Sequence, residues 1–241
     1  MPDIPNRDAL EEEISRILGR LNKRQMGKLL EHMGDPPLLS NVPAEFWEQS
    51  GKEFAQAAIP FSERVYLESA ARLLDTVSVG VDWTLVNENA AYFARTMNYK
   101  WIDGMNNNTR RAVGDAVARF YEEGWTHGQL KKKLAEDIYG ARRVATIART
   151  EVTRAAVEGE RAVVKELAQY GIRAIEVWQT RNDELVCVIC GPRHGKKEGD
   201  GWSKSDGPPA HPNCRCSTGH EIYSDEGPTQ MYETFAGLAG T

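Results

Sequence analysis

Residues 141–169, ARRVATIARTEVTRAAVEGERAVVKELAQ, are the stretch that decides the fold. The stretch contains no proline, and Gly171 follows it at a position where glycine commonly ends a helix. Its small apolar residues recur at intervals of three and four, which is the spacing of one helix face. The members of this face are Ala148, Val152, Ala155, Ala156, Gly159 and Val163. Such side chains let a neighbouring helix approach closely, so we predict a long central helix here, the longest helical stretch of the chain.

The sequence before this stretch also has helical spacing. Apolar residues three and four apart predict one helix over residues 10–33 and a second over residues 44–75, with Pro60 as a break or a first-turn residue. A third helix is predicted to open at Asp82, a fourth to run from Thr109 to its end at Gly124, and a fifth to begin with Thr126 as its cap. The N-terminal part is therefore expected to be helical.

A polar stretch at residues 101–108 interrupts that spacing. It contains Gly104 and three successive asparagines, residue types that favour loops over helix interiors. We therefore predict a loop and a domain boundary here. The predicted organisation is a helical N-terminal region at 1–104, a second domain at 105–224 and a flexible tail at 225–241.

The spacing of the apolar residues changes after the central helix. Residues 174–179, AIEVWQ, alternate enough to predict a strand, and residues 181–184, RNDE, are typical of a turn. Residues 191–209 are rich in glycine, lysine and proline and predict an exposed loop. Trp178, on the predicted strand, is expected to pack beneath this loop region.

All four cysteines lie within residues 187–216. The motif CVIC at 187–190 places two sulfurs close enough to share one ion, and HPNCRC at 211–216 can supply two further corners of a tetrahedron. The predicted ligands are Cys187, Cys190, His211 and Cys214, with Cys216 as the alternate. We predict a structural zinc that fixes this loop-rich segment, because clustered cysteines in a reducing compartment more often bind metal than form disulfides. A Cys187–Cys190 or cross-loop disulfide, or thiols that merely pack, are the alternatives.

The predicted fold class is mainly α with a small α+β C-terminal part. It comprises a helical N-terminal region, a long central helix, short strands and a Cys/His zinc knuckle.

The same residues carry a resemblance to a known family. The segment IARTEVTRA at 147–155 resembles the central helix of the phage Mu F-like minor head proteins, also called phage head morphogenesis proteins. The resemblance continues through WQT at 178–180, the C-x-x-C pair and PPAHPNCRC at 208–216, and it spans about half the chain, roughly residues 109–217. Within this motif set we assign structural positions to Arg149, Thr150, Glu151, Trp178, Asp183 and Arg215. The ordered combination is specific, whereas any single piece would be weak.

The resemblance implies a protein present in few copies per capsid, associated with the portal and carried inside the head. We therefore predict a non-enzymatic minor capsid protein of a tailed phage or prophage that acts in head assembly, with DNA packaging or ejection as further roles. Its expected partners are the portal protein, the scaffold or the major capsid protein. We expect it in the host cytoplasm during assembly and in the interior of the virion head, without membrane association.

The net charge of −5 argues against a protein that coats nucleic acid, so any contact with packaged DNA is expected to be local and non-specific. The candidate residues for DNA or portal contact are Lys131, Lys132, Lys133, Arg142 and Arg143. The alternative is a solvated helix face balanced by Glu136 and Asp137.

Two alternative functions use the knuckle differently. A zinc-stapled DNA-binding module needs a basic surface around the cysteines, but acidic residues dilute the cations there. An HNH-like nuclease needs a second metal-binding histidine after Cys216, where only His220 is present. We predict no catalytic residue: Glu151 is expected to pair with Arg154 rather than act as a catalytic carboxylate. Surface positions are expected for His32, His127, His194 and His220.

Overall fold

The computed structural model describes residues 4, 6–77 and 83–223 of the chain. Helices dominate it, and their bounds are Arg7–Met33 (α1), Ala44–Leu74 (α2), Trp83–Glu122 (α3), His127–Lys133 (α4) and Ala141–Ala168 (α5). Two strands, Arg173–Gln179 (β1) and Ser217–Tyr223 (β2), form an antiparallel sheet in the C-terminal part. The predicted fold class, mainly α with a small α+β C-terminal part, is confirmed.

Backbone contacts divide the chain into two compact units. The knuckle unit combines the described residues within 1–10, 62–92 and 149–223, and the helical unit combines residues 11–61 and 93–148. Both units are assembled from separated stretches of sequence. The consecutive division into 1–104, 105–224 and 225–241 stays a prediction, and its last segment lies outside the described residues.

The predicted loop at residues 101–108 is wrong, because α3 runs through it without interruption. Side-chain contacts explain why asparagines are tolerated in this helix. Asn106 Nδ2 donates to Trp47 O at 3.0 Å, and Asn108 Oδ1 accepts from Arg111 one turn later at 2.5 Å. With 40 residues, α3 is also longer than α5 with its 28, so α5 is not the longest helix as predicted.

The predicted ends of several helices are confirmed. Thr126 begins α4 with a reciprocal capping box, in which its hydroxyl accepts from the Gln129 N–H and the Gln129 side chain accepts from the Thr126 N–H. Gly124 and Gly171 follow α3 and α5 with φ values of 64° and 75°. These are left-handed conformations that favour glycine, which is why both helices end where the sequence predicts.

The helical unit has a core of its own. Apolar residues from α1, the start of α2, the end of α3, α4 and the helical turn after α4 pack together, with Leu29, Val113, Leu130 and Leu134 fully buried. The phenylalanine and tryptophan at the start of α2, Phe46 and Trp47, meet edge to face with ring centroids 5.1 Å apart. Burial of these side chains, rather than helix propensity, stabilises this unit.

The knuckle unit depends on the small-residue face of α5. Gly159 lies so close to α2 that a Cβ added there would come within 2.2 Å of Tyr66 O. The close helix approach predicted from the sequence is therefore present. A second apolar cluster around Leu73, Val163 and Leu167 extends this contact and includes Ile222 of β2.

The register of the sheet places both halves of the cysteine motif at one end. Gln179, the last residue of β1, lies opposite Ser217, the first residue of β2. The chain leaves β1 towards Cys187 and enters β2 directly from Cys216, so both arms start from the same end of the sheet. Strand β2 was not assigned from the sequence, because STGHEIY at 217–223 shows no regular alternation of polar and apolar residues.

Candidate metal centre

The first arm of the site is the turn that holds Cys187 and Cys190. Cys187 O accepts hydrogen bonds from the N–H groups of Cys190 and Gly191 at 3.2 and 2.9 Å. This tight turn brings the two sulfurs to one side of the backbone. Cys190 is buried, whereas the intervening Val188 is 92% exposed. The C-x-x-C segment thus directs its sulfurs inward and its apolar side chains outward.

The second arm is the segment from His211 to Cys216. The N–H of Cys214 donates to His211 O at 3.2 Å, and Asn213 between them has a φ of 68°. Asparagine tolerates this left-handed conformation better than most residues, which suits it to the reversal. Cys214 and Cys216 are both buried.

The two arms meet at Cys190. His211 Nε2 lies 3.1 Å from Cys187 Sγ and 3.3 Å from Cys190 Sγ, and Cys190 Sγ lies 3.9 Å from Cys214 Sγ. Two sulfurs bound to one tetrahedral zinc ion are separated by about 3.8 Å, from Zn–S bonds of about 2.3 Å. The spacing of the Cys190 and Cys214 sulfurs therefore fits the ion. The imidazole would have to move outward by a few tenths of an ångström.

The orientation of His211 suits a metal ligand. Its Nδ1 lies 2.8 Å from Pro212 O, which can only accept, so Nδ1 carries a proton and donates it. The other nitrogen, Nε2, then faces the two sulfurs. Metal-binding histidines commonly donate their second ring N–H to a carbonyl in this way, which fixes the ring orientation.

The electrostatics of the cluster favour one thiolate. Hydrogen bonds from Cys190 and Cys216 lower the pKa of Cys214 to about 2, and the same contact with Cys214 raises the pKa of Cys190. Burial lowers the pKa of His211, but the hydrogen bond to Pro212 and the nearby Cys214 outweigh it and raise the pKa overall. A thiolate beside thiols and an imidazole is a soft donor set that a divalent zinc ion prefers.

The donors form two overlapping groups rather than one set of four. Cys187, Cys190 and His211 form one group, and Cys190, Cys214 and Cys216 form the other. In each group the ligand atoms lie within 4.8 Å of one another. The structure therefore brings together all five predicted donors. The preferred set with Cys214, and Cys216 as alternate, stays a prediction.

Helix α5 holds the second arm through the residues of the predicted structural motif. Arg149 donates to Asn213 Oδ1 at 2.6 Å, and the Asn213 N–H donates to Thr150 Oγ1 at 3.0 Å. These contacts bind both the side chain and the backbone of the residue with positive φ. We call the contacts made by residues 149–153 of α5 the α5 latch.

The latch continues one turn further along α5. Thr153 Oγ1 donates to Cys214 O at 3.3 Å and accepts from Arg7 Nη1 at 2.8 Å. Arg7 Nη2 also donates to Cys216 O at 3.2 Å. Arg7 and Thr153 are both buried, and sequence reasoning missed them. Thr153 lies three residues after Thr150, on the same helix face. This spacing could have indicated that both threonines contact the second arm.

An ion pair joins the second arm to the segment just before the first arm. Arg215 forms a two-pronged hydrogen bond with Asp183 at 2.8 and 2.5 Å. This contact from Arg215 is the main reason that the pKa of Asp183 lies below its usual range. Asp183 also accepts from the Leu185 N–H at 3.1 Å, so it orders the turn before Cys187.

Two tryptophans form the floor of the site. Trp178 is fully buried and meets Trp202 edge to face at 5.3 Å between ring centroids, and both contact the cysteines of the cluster. The position of Trp178 beneath the knuckle agrees with the expectation from the sequence. Trp202 was missed because it lies in a segment rich in glycine and lysine. Its Nε1–H donates to Lys196 O at 2.9 Å, which anchors that loop.

Glu151 is buried and forms an ion pair with Arg154 on the same helix, as the sequence suggested. Burial raises the pKa of Glu151, and the arginine opposes the shift.

His220 is not a surface residue as predicted, because β2 buries it to 4% exposure. Its Nδ1 lies 3.9 Å from Glu160 Oε2, which accepts from Thr218 Oγ1 at 2.8 Å. Burial lowers the pKa of His220. His220 belongs to neither of the two metal-ligand groups.

The predicted basic region has neighbours of opposite charge. Lys133 pairs with Asp137 at 2.5 Å, and Lys132 lies 3.9 Å from Glu136. Lys131 and Arg142 are exposed, whereas Arg143 is half-buried and donates to other residues of the helical unit. The pairs with Glu136 and Asp137 are those of the alternative interpretation as a solvated helix face.

The fold and the site together define a helical protein with a small Cys/His module clamped to its long central helix. Residues 111–219 match the family described as Phage Mu protein F like protein. This match, which covers a little under half of the chain, supports the phage Mu F-like head morphogenesis family and confirms the resemblance seen in the motifs. The matched segment contains the α5 latch, both arms of the site and the start of β2.

No curated protein and no solved structure matches the chain. Among the described residues, none of the helices combines the length and apolar character needed to span a bilayer.

Proposed function

We propose that this chain is a minor head protein of a tailed phage or prophage that acts in head assembly without a catalytic step. The observation that carries the proposal is the family match at residues 111–219. The contacts within this segment support a structural role, since its motif residues Arg149, Thr150, Asp183 and Arg215 bind other parts of the protein.

In this proposal the protein associates with the portal, the scaffold or the major capsid protein in the host cytoplasm and remains in the head interior. The N-terminal helices supply the docking surface, since residues before 111 lie outside the family match. The C-terminal module is a rigid, metal-stapled element. DNA packaging or ejection would be affected through portal association.

Complementation in a phage that lacks the gene tests the proposal. The deletion is expected to yield aberrant or poorly infectious heads, and the wild-type gene should restore the infectious titre. Cys187→Ser should restore it poorly, because it removes one sulfur of the knuckle. Val188→Ser is the matched control, since it changes the exposed neighbouring residue of the same turn. Normal heads with full infectivity in the deletion would refute the proposal.

We further propose that the knuckle holds one structural zinc ion. The preferred ligands are Cys187, Cys190, His211 and Cys214. The support is the chemistry of the donors, the 3.9 Å sulfur spacing and the orientation of His211 by Pro212. Zinc in such a site supplies folding free energy by joining two arms that bury few apolar groups.

The zinc content of the purified protein tests this second proposal. We expect one zinc per chain in the wild type and in Val188→Ser, and a clear loss in Cys187→Ser and His211→Ala. Element analysis by mass spectrometry measures the zinc content, and a thiol titration measures the number of free cysteines. A metal-free wild type with four free thiols or a disulfide would contradict it.

The cations around the knuckle give less support to a DNA-binding module. Lys197 Nζ lies 2.6 Å from Glu221, Lys204 Nζ lies 3.7 Å from Glu176, and Arg215 is paired with Asp183. Phosphate groups would have to compete with these carboxylates. The structural role is therefore the proposal that we retain.

A further inference from the structure

The helical unit contains a polar recess that the proposed function does not use. It lies between α1, the start of α2, α3 and the start of α5. Its polar lining comes mainly from Asn22, Gln25, Asn106, Thr109, Tyr139 and Arg143. Polar groups that converge in a recess are the usual mark of a ligand site.

Arg143 is the one cation among the residues that line this recess. Its Nη1 donates to Ile138 O at 2.8 Å and its Nη2 donates to Thr109 Oγ1 at 2.8 Å. Both acceptors are neutral oxygens. They hold the guanidinium in one orientation but do not neutralise its charge.

Among the residues that the structure describes, no carboxylate forms an ion pair with Arg143. One carboxylate, Glu53, contacts a residue of the recess, since it accepts from Gln25 at 3.4 Å. Glu53 is already paired with Arg24 at 3.1 Å and lies 3.6 Å from Lys28. Burial lowers the pKa of Arg143, opposed only by Tyr139, whose own pKa is raised to about 12 by burial. Half-buried charges in proteins are normally paired, so this one lacks its usual counter-charge.

The amides around Arg143 are positioned rather than free to rotate. Asn22 donates to Tyr139 O at 3.4 Å, Gln25 to Ser50 O at 3.1 Å, and Asn106 to Trp47 O at 3.0 Å. Each side-chain amide nitrogen has two N–H groups, so Asn22 and Asn106 each keep a second donor, whereas Gln25 uses its second N–H on Glu53. A fixed cation with fixed donors nearby is an arrangement suited to an oxyanion.

The size of the recess limits the ligand. Its enclosed part has room for about one water molecule, which is the size of one carboxylate oxygen and excludes a nucleotide or a sugar. We propose that the Arg143 recess takes one oxygen of a carboxylate group, delivered either by a small free carboxylate or by an acidic side chain of a partner protein. That oxygen would accept a guanidinium N–H in a short, charge-assisted hydrogen bond, while the second oxygen stays at the open mouth of the recess.

Thermal unfolding of the purified full chain with sodium formate tests the proposal, with sodium chloride at equal ionic strength as reference. Formate at ten times its dissociation constant is expected to raise the Tm by about 3 °C beyond chloride, and the effect should saturate. Arg143→Gln should lose the response. Arg142→Gln, which removes the exposed neighbouring charge, should keep it.

A second measurement covers the case in which Arg143→Gln fails to fold. The side-chain Nε–Hε resonance of Arg143 in the wild-type protein should shift during a formate titration and remain in place with chloride. To identify the source of the carboxylate, thermal unfolding is repeated with a capped Gly-Glu-Gly peptide and with its Gln analogue. Stabilisation by the Glu peptide alone assigns the site to a protein side chain, and stabilisation by formate alone assigns it to a free carboxylate. Any of three results would overturn the proposal. These are an equal effect of chloride, a formate response that persists in Arg143→Gln, or a formate response that does not saturate.

Discussion

Adjacent side chains on α5 contact different parts of the protein. Arg149 and Thr150 bind Asn213 of the second arm, whereas Glu151 pairs with Arg154 on its own helix. Thr153 reaches the same arm one turn later. The family motif on this helix therefore encodes a latch for the knuckle, since each of its polar groups is engaged in a structural contact.

His220 predicts a pH dependence of stability. It faces Glu160 and Arg161 of α5, Arg72 of α2 and Lys204 of the loop before the second arm, and burial holds its pKa below the ordinary 6.5. As the pH falls below about 6.5, the unfolded chain binds a proton that the folded protein does not. Stability is therefore present above that pH and lost below it.

Replacing His220 tests this prediction. In His220→Gln, the urea midpoint should fall less between pH 7 and pH 5 than it does in the wild type, because the proton uptake of the unfolded state at this position is removed. His32→Gln, at an exposed position on α1, controls for the loss of one histidine. Parallel pH profiles of wild type and His220→Gln would show that His220 does not contribute.

At the scale of elements, the contact between α5 and α2 is sensitive to one methyl group. A Cβ at Gly159 would lie 2.2 Å from Tyr66 O and 2.9 Å from Tyr66 C, and backbone atoms cannot move aside cheaply. Gly159→Ala is therefore expected to destabilise the protein by about 1–3 kcal/mol, the usual cost of overpacking. Chemical denaturation monitored by circular dichroism measures the change.

Gly19→Ala on α1 is the matched control. It also lies inside a helix, but a Cβ there meets nothing within 4 Å. Alanine in a helix interior is favoured over glycine by about 0.5–1 kcal/mol, so this variant should be as stable as the wild type or more stable. Equal effects of the two substitutions would refute the close approach of α5 and α2.

At the scale of the whole molecule, metal binding is expected to be coupled to the stability of the knuckle unit. The arms contact α5 and Arg7 through polar groups, and their apolar contacts are concentrated at Trp178 and Trp202. Removal of zinc by a chelator should lower the melting temperature, because the ion binds only the folded arrangement tightly. Differential scanning calorimetry with and without the chelator measures the shift.

Hydrogen exchange locates that effect. The amides of residues 187–190, 211 and 213–216 should lose protection when zinc is removed, whereas those of α3 in the helical unit should change little. Cys187→Ser should start from the lower melting temperature and respond weakly to the chelator, and Val188→Ser should behave as the wild type. An unchanged melting curve in all three proteins would count against the metal staple.

Local patterns determined much of this protein. Apolar spacing predicted α1, α2 and α5, Thr126 and Gly124 predicted a cap and an end, and the cysteine spacing predicted which donors converge. Each of these features depends on residues close in sequence or on a strong chemical preference. Helix periodicity and the chemistry of thiols are properties that a short segment carries with it.

Tertiary structure decided the rest. The asparagines at 106–108 favour a loop in isolation, but packing within the helical unit keeps them in α3. The burial of His220, the contact of Arg7 with Cys216 O and the role of Trp202 join residues that are distant along the chain or follow no local pattern. Such contacts depend on which surfaces meet when the helices and the sheet pack, and local propensity is too weak to specify them.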